Sequence, residues 1–301
     1  MYRSHRTSRV WLFALIPWAA ICLMTGSALA LGAVPMPRIA VVTASPKPIP
    51  SETPAPTATP LPQVSAAFKA VGEGLRLRGS EPKILIYHTH TTEAYFPTAE
   101  MSYRKSASWR TKDPSRSVVA VGERLKALLE REYGFCVLHD TTDHEPPKLS
   151  TAYERSETTM RAYAEQYPSI ELFIDLHRDA CGSDPKAPKD YVTVNGEQLA
   201  RIMFVVGRGE KYEDKPFYDT NRTFAERVTA YLAEIDPKLV RPIREKPGRY
   251  NQHVGPYCLL IEVGHNGNTL EQALASVPYL AEGIAYAAAA TEHRVSSWLP
   301  E

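Results

Sequence analysis

Cysteine is scarce in this chain, with four residues in 301. Cys22 lies in an apolar run, and Cys136, Cys181 and Cys258 are scattered without CxxC spacing, which excludes a zinc ribbon or a redox dithiol. The odd number outside that run offers no complete disulfide framework. Cys136 and Cys258 read instead as small buried residues on strands. An excess of one charge is missing too: 35 Lys and Arg stand against 34 Asp and Glu, for a formal net charge of +1. No Lys/Arg block follows the N-terminus, so neither nucleic acid nor an anionic membrane surface is implied as a partner. The chain also lacks an internal repeat and any G-x-S-x-G elbow, and the second absence removes the serine-hydrolase reading.

The first eighty residues do not read as a packed domain. Arg3, Arg6 and Arg9 precede an uncharged run from Val10 to Val34, long enough to cross a hydrocarbon core of about 30 Å as a helix of about 20 residues. Residues 1–9 then form a basic cytoplasmic tail and 10–34 a single transmembrane signal-anchor. Ala28-Leu29-Ala30 resembles a signal-peptidase site, but a typical signal core is shorter, about 7–15 residues, which favours an uncleaved anchor. Either way the bulk of the chain is exported, giving a cell-membrane protein with its folded domain outside the cytoplasm. Between 35 and 80 proline recurs among Ser, Thr and Ala, as in SETPAPTATPLP, a composition that favours extended chain and cannot bury a core. At about 3 Å per residue this linker holds the domain several tens of ångströms from the bilayer, a distance suited to a wall polymer. Residues 81–295, roughly 215 in all, remain as one domain.

Within that domain short apolar runs alternate with helical patterns, which predicts an α/β fold with a mostly parallel sheet flanked by helices. The runs are KILIYHT (83–89), FCVLHD (135–140), ELFIDLH (171–177), ARIMFVVG (200–207) and YCLLIEVG (257–264). Val118, Val121, Leu125, Leu128 and Leu129 recur at helical spacing, as do Phe224, Val228, Tyr231 and Leu232 before Pro237. Tyr153, Met160 and Tyr163 mark a polar stretch compatible with a helix, and a terminal helix around Leu270, Leu274, Leu280 and Ile284 is expected to break at Pro278. His88 and His90 close the first strand, His177 closes the third and Glu262 lies on the last. Ligands of open α/β sheets bind beyond the carboxyl ends of strands, so these distant segments can share one site.

A catalytic zinc site takes three ligands from His and Asp/Glu and leaves a position open for water. His90, His177 and one carboxylate satisfy that count, with the carboxylate either Glu93, close behind His90, or Asp113, before the Val118 helix. His88 is the alternative to His90, as a ligand or as the group that supports one. Glu262, in the apolar run CLLIEVG, is costly to bury without a role and suits a general base. His139 and His144 read as loop or supporting groups, and His265 as a substrate contact or part of a solvated loop. Arg249, Asn251 and Gln252 offer donors for substrate carbonyls, against a turn held by its own side chains. Arg178 pairs with a substrate carboxylate or with Asp175 or Asp179.

The stretches ILIYHTHTTEAY, VVAVGERLKALL, VLHDTTDH followed by TAYERSETT, FIDLHRDA, RIMFVVG and RYNQHVGPYCLLIEVGHNGNTLEQA, in this order over roughly residues 80–290, resemble the stage II sporulation protein P family. That family is related to zinc-dependent N-acetylmuramoyl-L-alanine amidases. The resemblance implies a zinc amidase-like fold, a Zn2+ cofactor, and peptidoglycan as substrate, cut between N-acetylmuramic acid and L-alanine. It also associates the chain with cross-link endopeptidase activity and with engulfment alongside the stage II sporulation proteins D and M. Carried over, the strand-end histidines fall on His90, with His88 beside it, and on His177, and the catalytic glutamate falls on Glu262. The amidase acidic ligand opens the first helix, where this chain offers Asp113, so Glu93 and Asp113 both stand as third ligand. The competing reading is a catalytically inactive wall-binding module that tethers a partner enzyme.

Overall fold

A computed structural model describes residues 75–181 and 190–289. The expected tail, anchor and nearly all of the proline-rich linker lie outside the described residues. Among the described residues no helix is long and apolar enough to cross a membrane.

The elements in chain order are β1 (Ile84–Tyr87), β2 (Lys105–Ala107), β3 (Arg110–Thr111), α1 (Val118–Tyr133), β4 (Val137–His139), α2 (Ala152–Gln166), β5 (Leu172–Asp179), β6 (Tyr191–Val194), β7 (Glu197–Ala200), β8 (Ile202–Gly207), α3 (Tyr218–Ile235), β9 (Arg244–Lys246), β10 (Cys258–His265) and α4 (Leu270–Ala289). Six strands form one sheet in the order β4-β1-β5-β10-β8-β9, parallel throughout except where β10 meets β8. Strands covered on both faces read as continuous apolar runs, and β1 and β10 are buried at every position. Each of the five expected strands is present.

Helices α1, α3 and α4 pack on one face of this sheet, where Ile84, Ile86, Ile174, Leu176, Ile261 and Val263 join Leu125, Val228 and Leu280 in the main core. Helix α2 lies on the other face, with Met160 against Leu85, Tyr87, Phe173 and Cys258. Ser117 caps α1 by accepting from the Val119 N–H, and Gly134 ends it in the left-handed region at φ 67°. Gly122 in mid-helix is needed for a different reason: a Cβ there would sit 2.8 Å from the Nε2 atoms of both His88 and His139.

The terminal helix corrects one expectation. α4 runs unbroken from Leu270 to Ala289 with Pro278 inside it. The missing N–H costs about 3 kcal/mol, but Val277, Leu280, Ala281 and Ile284 are almost fully buried around it, and that packing outweighs the local preference. Two hairpins were not anticipated, β2–β3 and β6–β7. The second turns at Asn195-Gly196, both at positive φ (52° and 84°), the pair that a two-residue hairpin loop favours. Cys258 is buried as expected, Cys136 is half-buried, Cys181 is exposed, and all three thiols are free.

Candidate active site

Strand alternation sorts the polar residues at the carboxyl ends of β1, β5 and β10. Asp175 and His177 share one face of β5, and the register places Tyr87 and Leu260 beside Asp175 and Glu262 beside His177. This is the face that α2 covers. Tyr153 of α2 reaches the cluster, its ring stacked 6.5 Å from His177 and edge-on to His90 at 5.7 Å.

His90 sits edge-on to His177, with ring centroids 5.4 Å apart. Its Nδ1 is buried without a hydrogen-bond partner among the described residues. Burial first, and the neighbouring His177 second, lower its pKa to about 4. The ring is therefore neutral near pH 7, the form in which imidazole ligates metals.

His177 is held between two carboxylates. Its Nδ1 lies 3.4 Å from Glu93 Oε2. Its Nε2 lies 2.7 Å from Asp175 Oδ1, an approach close in distance but not aligned as a hydrogen bond. Burial lowers the pKa of this ring, but Asp175 and Glu93 more than reverse that and raise it well above the usual histidine value. Asp175 is fixed in turn by the Thr89 N–H at 2.8 Å and the Thr89 hydroxyl at 2.7 Å. Burial pushes the Asp175 carboxyl up, and His177 with the Thr89 bonds outweighs it.

Glu93 accepts from the Arg178 N–H at 3.3 Å, and its other oxygen lies 3.5 Å from the Arg178 guanidinium and 3.8 Å from that of Arg110. Burial alone would raise its carboxyl. Arg178 and the bond to His177 hold it instead well below the carboxylate range. Glu262 is the contrasting acid: Oε2 is buried with no hydrogen-bond partner, and burial raises its pKa to about 7 against the pull of His177. Two acids driven apart in this way divide the work, one permanently anionic and one able to exchange a proton near neutrality.

In kind, these donors fit a zinc ion: a neutral imidazole with a free nitrogen, an imidazole lodged between carboxylates that hold a cation, and the anionic Glu93. In spacing they are not a finished cage, since no group of three His, Cys, Asp or Glu among the described residues is set to hold a metal.

The remaining expected residues fall elsewhere. His88 belongs to the main-core face: its Nδ1 bonds the Leu176 carbonyl at 2.8 Å and its Nε2 meets His139 Nε2 at 2.9 Å. Both nitrogens being used, it braces β5 behind His177. Asp113 is exposed and accepts from the Ser115 N–H at 2.9 Å, capping a single 3-10 turn at Pro114–Arg116. Arg178 pairs with Glu93 rather than with either aspartate, and also donates to the carbonyls of Ala94 and Trp109. His139 lies against Glu123 at 3.1 Å, and His144 bonds the His88 carbonyl at 2.8 Å, both as supports.

The segment expected to bind substrate is a structural turn. Asn251 donates to the Tyr153 carbonyl and the Ser156 hydroxyl, and Gln252 bridges the Val205 carbonyl and the Gly207 N–H. Tyr250 and Asn251 turn the chain at φ 50° and 56°, and the buried polar groups around such a turn must be satisfied by its own side chains. Arg249 donates to the Asp214 carbonyl and stacks 3.7 Å from the Tyr212 ring, near Gly207 at the amino end of β10, whereas Glu262 lies toward the carboxyl end. His265 is neither solvated nor open to substrate: it is buried, accepts from the Gly267 N–H and faces Asp190 at 3.2 Å. Sequence reasoning passed over Thr89, Tyr153 and the role of Asp175. Only Asp175 carried a signal, the D-x-H spacing that puts two strand residues on one face.

Stage II sporulation protein P of Bacillus subtilis (strain 168) is 26% identical to this chain over 206 residues, covering 64% of this chain and 48% of that protein. The chain thus spans about half the length of this curated relative. Solved structures similar to it include the CwlD amidase from Clostridioides difficile in complex with the GerS lipoprotein, at 14% identity and TM-score 0.41, over 68% of this chain and 95% of that one. Another is the catalytic domain of CwlV, an N-acetylmuramoyl-L-alanine amidase from Bacillus (Paenibacillus) polymyxa var. colistinus, at 15% identity and TM-score 0.36, over 68% and 95%. Such scores do not establish a shared fold. The family model for stage II sporulation protein P, in contrast, matches residues 44–285, most of the chain, and this protein therefore belongs to that family.

Proposed function

We propose that this protein is a zinc-dependent peptidoglycan hydrolase that cuts the amide between N-acetylmuramic acid and the L-alanine of the stem peptide, with peptide cross-links as a second target. The observation that carries this reading is Glu262, buried with an unpartnered oxygen, in register beside His177 and with a pKa near 7. Zinc would be held by His90, His177 and Glu93, where it supplies a Lewis acid and lowers the pKa of water toward about 7. Glu262 takes the proton of the attacking water and delivers it to the leaving amine. Asp175 holds the charge of His177 by its close approach, and Tyr153 packs against both histidine rings. Family membership supports a sporulation role in engulfment, with the stage II sporulation proteins D and M as partners. The uncharged run at 10–34 supports membrane anchoring with the folded domain outside the cytoplasm.

The test is digestion of purified sacculi by the full chain, with and without chelator, and by Glu262→Gln, read by mass spectrometry of released fragments. New L-alanine amino termini are expected from the wild type. Release should fall by about 10²–10⁴ in Glu262→Gln with circular dichroism unchanged, and should stop with chelator. Equal release by both proteins would remove Glu262 from the chemistry, and release indifferent to chelator would remove zinc. Retention on sacculi without release would point to the tethering module.

A further inference from the structure

The face that carries His177 and Glu262 continues past β10 and β8 to the edge strand β9, which reads Arg244-Glu245-Lys246. Alternation gives the central residue one face and its neighbours the other. Glu245 pairs with Arg222 of α3 at 3.3 Å, which fixes it on the α3 side and turns Arg244 and Lys246 toward the active-site face. Two contacts agree with that orientation. Lys246 Nζ stands 5.9 Å over the ring of Tyr250, which meets Tyr153 edge-on at 5.3 Å. Arg244 reaches Asp179 Oδ2 at 3.4 Å, and Asp179 lies on β5 two residues beyond His177.

Asp179 is not enough for the cations around it. Arg241 lies 2.9 Å from the same oxygen, so two guanidiniums share one carboxylate, and neither has another carboxylate within ion-pair distance among the described residues. Lys246, whose charge acts on Glu262, adds a third cation to this edge of the face. The side chain of Arg244 is 43% exposed, so a ligand can reach it. A guanidinium positioned by one carboxylate but not neutralised by it is set to take a second, because its planar fork offers several N–H groups in fixed directions.

We infer that Arg244 and Lys246, with Arg241 behind them, form a subsite that takes a free carboxylate of the substrate and so selects an acidic peptide. The inference rests on the hydrolase reading, in which the stem peptide beyond L-alanine carries free carboxylates and lies across this face with its scissile amide at Glu262. Asp179 is a positioning residue: it aims both guanidiniums at the reacting end of β5.

Binding separates this inference from the reading beneath it. The probes are a synthetic L-alanyl-D-glutamyl peptide with free carboxylates and its carboxamide analogue, titrated calorimetrically into the full chain. Wild type should prefer the acidic peptide by roughly tenfold at low salt, with the preference shrinking as salt is raised. Arg244→Ala with Lys246→Ala should erase the preference by weakening only the acidic peptide, and Arg244→Lys should restore part of it. On a cleavable muropeptide Arg244→Ala alone should raise KM for the carboxylate form while leaving kcat within about twofold. If the double variant unfolds, Lys246→Ala alone and the salt dependence of the wild type still carry the test. Equal binding of the two peptides by wild type, or equal losses for both in the variants, would overturn the subsite. A preference for the acidic peptide without any cleavage would sink the hydrolase reading and leave the subsite standing.

Discussion

The two faces of the central sheet treat buried histidine in opposite ways. On the face packed by α1, α3 and α4, His88 is surrounded by core and both ring nitrogens are bonded, to the Leu176 carbonyl and to His139. On the face covered by α2, His90 leaves a buried nitrogen without a partner and His177 lies between two carboxylates. Burial lowers the pKa of His88 to about 3 and that of the less deeply buried His90 to about 4, so both rings are neutral near pH 7 and charge does not tell them apart. The difference lies in completeness. A satisfied network rigidifies a fold, whereas unpaired polar atoms at the carboxyl ends of strands cost stability and are kept for chemistry.

Breaking each face should therefore fail in a different observable. The largest effect is expected from Glu93→Ala, which removes the carboxylate between His177 and Arg178. Zinc affinity should fall by at least about 100-fold, more than loss of a group that merely orients a ligand, as read by competition with a chromogenic chelator. Unchanged affinity would take Glu93 out of the ligand set.

Next in size is Gly122→Ala on the opposite face. Its Cβ would press on His88 and His139 at 2.8 Å, and overpacking of that kind costs about 1–3 kcal/mol. Thermal unfolding should shift down by several degrees, while zinc affinity per folded molecule stays at the wild-type value. A variant as stable as wild type would mean that the His88–His139 pair yields freely.

Proton linkage gives a third contrast. Burial raises the Glu262 pKa from 4.5 to about 7, so the folded protein holds this proton more tightly than the unfolded chain. Its contribution to stability is complete below pH 4.5 and is lost as pH rises through about 7. In metal-free protein the Tm difference between wild type and Glu262→Gln should move against wild type across that window. A flat difference would show that Glu262 titrates normally. The raised His177 acts in the same direction above pH 6.5, and zinc binding, which needs the neutral ring, should release its proton. Calorimetry in buffers of different ionisation enthalpy reads that release.

The smallest effect belongs to Asp113→Ala. Loss of its cap on the 3-10 turn should cost about 1 kcal/mol or less and leave zinc affinity unchanged. A fall in affinity comparable to that of Glu93→Ala would restore Asp113 as the ligand.

Much of the fold was legible because a parallel strand buried on both faces has to be an apolar run, and each such run in this sequence became a strand. The β6–β7 hairpin was readable from VTVNGEQL and was passed over because its strands are short and half-exposed. Pro278 misled because a local rule on helix interiors says nothing of the burial around the helix. In the site, His90, His177 and Glu262 could be located from their places at or near strand ends. Arg249, Asn251 and Gln252 could not be sorted, because a donor committed to a buried turn and a donor offered to substrate are spelled alike.

By itself the sequence determined five of the six strands of the central sheet, the strand ends near which His88, His90, His177 and Glu262 gather, and which family the chain resembles. These follow from local periodicity and from the order of motifs along one chain. Only the tertiary structure put His88 on the core face and His90 against His177, set Glu93 rather than Asp113 beside His177, and turned Arg244 and Lys246 to the face that carries Glu262. Each of those choices depends on strand register and on which face a helix covers, and so on contacts between residues up to about ninety positions apart, such as Arg178 with Glu93 at a separation of 85.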